Sequence, residues 1–240
     1  FHKFTNPLHD PIHSLGKDLH GRFLPEIPYQ LINKYCPEGG NVLDPFGGSG
    51  TTLIEAYKLN REIVSIDIDS RMISAQEEKL SALQTLDIPS PVTHILKQDC
   101  SDLKQFKTDN FDLVMFSPPY PYAIKFNPDN SEDISNVSNY KEFLVEYKRY
   151  LTEFIRVTKP GGHICQVLSD VVDNSNKKNK ITRPFISDST NLMSQLNQTY
   201  IRTITFPFVR EVMRAQGKDG IKKRNDTLGA VSDNILNKGW

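Results

Sequence analysis

The sequence predicts an α/β fold, a doubly wound and mostly parallel sheet, and three observations carry that expectation. Short apolar runs alternate with amphipathic stretches between residues 41 and 168. A glycine-rich turn separates the first run from the stretch after it, where open α/β sheets bring backbone close to a ligand. Two of the next runs end at or just before an aspartate, Asp67 and Asp99. The 240 residues suffice for one such domain with a substantial core.

The elements follow in order. Residues 1–24 read as an arm, with four histidines and little apolar periodicity. His2, His9, His13 and His20 come without a nearby carboxylate pattern, so they are assigned structural or solvent roles and no metal is expected. Pro25 opens a helix reaching about Tyr35, closed by Pro37 and Gly39-Gly40, because proline suits a first helical turn and glycine a stop. Strand 41–45, helix 50–59, strand 62–67 and helix 71–86 give βαβ patterning, continued by strands 92–97 and 111–116, helix 140–157 and strand 163–168. Residues 117–139 form a proline-rich connection too long for a plain loop, a length that points to function. Beyond 170 the pattern weakens into a polar stretch 173–180, a helix 187–196, a strand 200–208 and a basic loop 217–226. The expected organisation is an arm at 1–24, one domain at 25–208 and a basic segment at 209–240.

Composition narrows the function classes. Charged residues at 24% and hydrophobic residues at 38%, with no run of eighteen apolar residues, predict a soluble protein without a membrane partner. Cys36, Cys100 and Cys165 stand too far apart for a zinc motif or disulfide framework, which fits a reducing cytoplasm. The chain opens Phe1-His2-Lys3, without the order of a signal peptide, and is expected to be trimmed from a longer one. Lysine plus arginine equals aspartate plus glutamate at 29 each, but residues 171–240 hold twelve of the former against six of the latter. Arg210, Arg214, Lys218, Lys222, Lys223 and Arg224 are therefore expected either to contact phosphates or to form a solvated tail.

Two motifs carry chemistry. In the first, Asp44-Pro45-Phe46-Gly47-Gly48-Ser49-Gly50-Thr51 bends between strand and helix, lacks the lysine of a phosphate-binding loop and departs from GxGxxG. Asp67 stands where a carboxylate grips ribose hydroxyls in nucleotide-binding α/β folds, and Asp99 follows the third strand. Each acid alone could be a helix cap; together they favour a cationic, nucleoside-bearing ligand. In the second, Ser117-Pro118-Pro119-Tyr120 ends the fourth strand, joining two hydrogen-bond acceptors to a flat ring on a stiff backbone.

With both motifs present, the chain resembles the amino-methyltransferases of DNA that act on cytosine N4 or adenine N6. Pro160-Gly161-Gly162 is similar to a later turn of that family, and the segment from His20 to Pro25 to its cofactor-side stretch. The resemblance covers about residues 15–170 and implies a Rossmann-like class I methyltransferase fold, S-adenosyl-L-methionine as cofactor, and DNA methylation of the restriction-modification kind. It places Arg22, Phe23, Asp44, Pro45, Phe46, Gly47, Gly48, Ser49, Gly50, Thr51, Asp67, Ile68, Asp99 and Cys100 around the cofactor. Asp67 is assigned to the ribose and Asp99 to the adenine amine. Ser117, Pro118, Pro119 and Tyr120 become the catalytic set, acting on a base rotated out of duplex DNA.

Ring-carbon methylation needs a thiolate, usually from a Pro-Cys pair, and no cysteine here follows a proline, so nitrogen is the expected acceptor. Serine at position 117 favours cytosine N4 over adenine N6 in this family. The glycine motif precedes the Ser-Pro-Pro-Tyr motif, whereas many relatives with this motif have the reverse order and a recognition insert. That order also occurs in RNA enzymes acting on guanine N2, which keeps RNA open as a substrate. A non-catalytic methylase-like subunit is the third reading.

Overall fold

The computed structural model describes residues 11–15, 23–122, 130–173, 180–203, 205–210 and 226–237. Five parallel strands form the centre of the molecule: β1 (Asn41–Asp44), β2 (Glu62–Asp67), β3 (Thr93–Lys97), β4 (Phe111–Phe116) and β5 (Thr158–Leu168). Their order is β3-β2-β1-β4-β5, so the chain switches direction between β1 and β4, where open sheets leave a crevice at the strands' carboxyl ends.

Strand residues alternate between two cores. Val42, Ile63, Leu113, Met115 and Cys165 face α2 (Glu26–Tyr35), α3 (Thr51–Lys58) and α4 (Ser70–Leu83). Leu43, Val64, Val114, Phe116 and Ile164 face α5 (Tyr140–Val157) and α6 (Phe185–Gln195). Helix α5 buries Tyr140, Phe143, Tyr147, Tyr150, Leu151, Phe154 and Val157, a stripe at helical spacing, and Asn139 caps it by accepting from Lys141 N–H. This is a Rossmann-like, doubly wound arrangement.

The expected elements from Pro25 to Val157 are present, with α4 ending at Leu83 and not at 86. Strand β5 begins five residues earlier than expected, because Thr158 pairs with Phe111 before an irregularity brings His163 opposite Leu113. Gly161 sits there at φ 76°, and a Cβ on Gly162 would fall 2.9 Å from the Asp112 carbonyl.

Past residue 170 the structure adds elements that the sequence pattern did not show. Strands β6 (Val171–Asp173) and β7 (Ile181–Arg183) make a separate antiparallel ribbon. The expected strand 200–208 divides into β8 (Thr199–Arg202) and β9 (Thr205–Arg210). Strand β10 (Asp226–Asn237) inserts antiparallel between β5 and β8 and also pairs with β9. The boundary expected at 208 is thus crossed by sheet pairing. The basic run from Arg214 to Arg224 lies outside the described residues, as do His2, His9, His20 and Arg22. Within the expected arm, α1 (Pro11–Ser14) places His13 Nε2 2.7 Å from Glu55 Oε1, a structural partner on α3. Among the described residues no helix is long and apolar enough to cross a membrane, and the three cysteines are buried and form no disulfide.

Candidate active site

The turn after β1 is built by backbone contacts that leave no room for side chains. Gly47 N–H donates to the Ile66 carbonyl at 2.8 Å, and a Cβ on Gly47 would lie 2.1 Å from Ser65 Oγ. Gly48 and Gly50 hold φ of 48° and 87°, the left-handed region that glycine enters without penalty. From α4, Gln76 Nε2 donates to the Gly48 carbonyl at 2.8 Å and Lys79 Nζ donates to the Ser49 carbonyl. Lys79 is 1% exposed, so its charge is spent on fixing the turn. Asp44, beneath the turn, accepts from Phe46 N–H at 3.1 Å, and burial pushes its carboxyl up to about 7.

Asp67 closes the turn from the next strand. Its two oxygens accept from Gly48 N–H at 2.9 Å and from Asp69 N–H at 2.8 Å, while burial raises its pKa to about 6. Asp99 accepts from Ser101 N–H and from the Tyr150 hydroxyl, both at 3.0 Å, and from Ser101 Oγ. Asp69 caps α4 and pairs with Arg71; Asp133 caps the 3-10 turn Ile134–Asn136.

These pieces surround one cleft at the carboxyl ends of the strands. It holds about 200 Å³ and is lined by Phe23, Pro45, Phe46, Gly47, Gly48, Ser49, Thr51, Asp67, Ile68, Asp99 and Cys100. Ser117, Pro118, Pro119 and Tyr120 line the same cleft. Asp44 and Gly50 support the turn from behind and do not line it. Sequence reasoning missed Asp69, Met72, Gln98, Glu132, Asp133, Ile134 and Tyr150, which also face it. Tyr150 stood in the apolar stripe of α5, and Asp133 in a connection whose path no local pattern dictates. Five carboxylates line the cleft, from Asp67, Asp69, Asp99, Glu132 and Asp133, and among the described residues no lysine, arginine or histidine does. Such a lining disfavours phosphate and favours a cation. Cys100 is no nucleophile, because burial holds its thiol well above the ordinary range.

The far wall is held as firmly. The Tyr120 hydroxyl donates to the Val167 carbonyl at 3.1 Å and accepts from Ser169 N–H at 3.2 Å, and its ring meets the Phe185 ring edge-on at 5.7 Å. Tyr122 has a φ of 66°, unusual for an aromatic residue, and its hydroxyl donates to the Ser138 carbonyl at 2.8 Å. Strain of that kind costs about 1–3 kcal/mol and collects at functional sites.

Residues 13–78 match the family model described as DNA methylase. A type II methyltransferase of Methanocaldococcus jannaschii is 40% identical over 62 residues, which is 26% of this chain and 20% of that one. Over those segments the chain is similar to DNA methylases. A tRNA (guanine(10)-N2)-dimethyltransferase of Methanothermobacter thermautotrophicus is 28% identical over 154 residues, covering 64% of this chain and 40% of that one. The chain thus spans less than half the length of these curated relatives. Its fold is shared with a SAM-dependent methyltransferase of Methanosarcina mazei at a TM-score of 0.59 and 16% identity, over 86% of this chain and 96% of that one.

Proposed function

We propose that the chain transfers a methyl group from S-adenosyl-L-methionine to an exocyclic amine of a nucleic-acid base, with cytosine N4 in DNA the favoured acceptor. One observation carries the reading: a cleft lined by five carboxylates, with no lysine, arginine or histidine among the described residues, fits a cationic nucleoside and shares its wall with Ser117, Pro118, Pro119 and Tyr120.

The residues fit the cofactor by their chemistry. Gly47, Gly48 and Phe46 offer backbone and a ring near its methionine end, Asp67 two acceptors for the ribose, and Asp99 an acceptor for the adenine amine, with Phe23, Ile68 and Cys100 as apolar walls. Arg22 is assigned beside Phe23. When bound, the cofactor supplies an electrophilic methyl on a sulfonium sulfur. An exocyclic amine is a weak nucleophile because its lone pair is delocalised into the ring. Ser117 Oγ and the Pro118 carbonyl would hold its two hydrogens and favour a pyramidal nitrogen, leaving the lone pair free for the methyl that the cofactor would supply. The excess proton on nitrogen leaves along the Ser117 hydroxyl to water. Pro119 stiffens the backbone behind the carbonyl, and Tyr120, fixed through its hydroxyl, presents a ring on which a rotated base stacks.

A second reading, guanine N2 in RNA, is favoured by the 28% identity to the tRNA dimethyltransferase and by the motif order. Incubation with labelled cofactor, duplex DNA and mixed tRNA, followed by nucleoside mass spectrometry, separates the two. N4-methylcytosine in DNA supports the first, N2-methylguanosine the second, and label in neither acceptor overturns both.

A further inference from the structure

We propose that Tyr150 is a positioning residue that fixes the Asp99 carboxylate as a selector for adenine, so that the site rejects nucleosides with a carbonyl in place of the amine. This rests on the methyl-transfer reading above and deepens its assignment of Asp99 to the adenine amine. Tyr150 acts through the carboxylate and not on a reacting atom.

A carboxylate at the edge of a cleft can turn about its Cβ–Cγ bond, which changes the lone pair it offers. Asp99 is held against that rotation. Its Oδ1 accepts from Ser101 N–H and from the Tyr150 hydroxyl, each at 3.0 Å, and its Oδ2 accepts from Ser101 Oγ. The Ser101 contacts are a local turn, of the kind an aspartate makes with the backbone two residues on. The Tyr150 contact reaches across fifty-one residues of chain and ties the acid to α5. Two donors occupy Oδ1, while Oδ2 keeps a lone pair to spare. An ionised carboxylate accepts and cannot donate, so it pairs with an amine and repels a carbonyl at the same ring position.

The tyrosine is itself fixed. It is 3% exposed, and its ring centroid lies 5.6 Å from that of Phe46 and 6.3 Å from that of Phe154. Its hydroxyl has a second, longer neighbour in the Glu132 carbonyl at 3.5 Å. With one hydrogen to give, it gives it to the nearer and charged acceptor. Burial, with Cys100 and Asp99 beside it, pushes the hydroxyl above the ordinary phenol range, so it stays protonated and donating near neutral pH. Phe143 and Phe154 fill the same stripe of α5 with plain rings, so packing does not call for a hydroxyl at position 150.

The test is Tyr150→Phe, which keeps the ring and removes the hydroxyl. Calorimetry follows two probes, S-adenosylhomocysteine and S-inosylhomocysteine, whose bases carry an amine and a carbonyl at the same position. The parent should prefer the adenosyl probe about tenfold or more. In the Phe variant the adenosyl probe should weaken about fivefold and the inosyl probe hardly at all, so that the preference narrows. Tyr150→Met, also without the hydroxyl, serves if thermal unfolding shows the Phe variant not to fold, and should narrow the preference likewise. An unchanged preference in a folded variant, or equal weakening of both probes, overturns the positioning role alone. A parent that binds both probes equally overturns the assignment of Asp99 and the role of Tyr150 with it, and a parent that binds neither overturns the cofactor reading. A parent that discriminates between the probes but methylates neither DNA nor tRNA overturns the acceptor reading and leaves Tyr150 in its role.

Discussion

At the carboxyl ends of the strands, five carboxylates face one cleft and no base lines it among the described residues; at the amino ends, Lys34, Arg61, Lys159 and His163 surround a second hollow with Asp112. The two ends spend their charge differently. Arg61 Nη2 donates to the Cys36 carbonyl at 3.0 Å and Nη1 to that of Leu59, so its guanidinium caps backbone. Lys159 pairs with Asp112 at 2.8 Å, and the same carboxylate oxygen accepts from Asn41 N–H at 2.8 Å. Burial pushes the Cys36 thiol up to about 12 and lowers His163, so neither carries charge near neutral pH. Opposite charges that satisfy one another make structure, whereas like charges held together are compensated by a ligand of the other sign.

Substitutions should divide along the same line. The largest effect is expected from Ser117→Ala, which should slow methyl transfer about a hundredfold with cofactor affinity unchanged. Equal losses in single-turnover rate and in calorimetric affinity would place Ser117 in the cofactor half. At the other end, Arg61→Met should cost about 2 kcal/mol of stability, since the buried Cys36 carbonyl and the part-buried Leu59 carbonyl lose their donor, and leave cofactor affinity as it was. Chemical denaturation measures the first half and calorimetry the second; a loss of affinity without destabilisation would make the second hollow functional.

Asp67→Asn should weaken cofactor binding about tenfold. Because the free carboxyl sits near 6 and a cationic ligand favours its ionised form, affinity in the parent should fall as pH drops through about 6. The Asn variant should lose that step in calorimetry between pH 5 and 8, and a step that survives would belong to another acid. Smallest is Lys159→Met, in a pair whose lysine is 38% exposed, worth less than about 1 kcal/mol in thermal unfolding.

The sequence by itself determined what local chemistry dictates. Periodicity placed 62–67, 111–116 and 140–157 at the bounds that β2, β4 and α5 occupy, because a strand's alternation and a helix's 3.6-residue stripe are written in neighbouring residues. Turn chemistry marked the glycine loop and the Ser-Pro-Pro-Tyr segment, which the sheet brings into one cleft. Only the tertiary structure decided that Gln76 and Lys79, two polar residues of α4, hold that loop, and that Asp133 and Tyr150 complete the lining. It alone placed β10 in the sheet, where Ser232 pairs with Leu168 some sixty residues earlier. An antiparallel strand so distant is specified by partners that no window of sequence contains, and a buried lysine is recognised only once the carbonyl it meets has been folded against it.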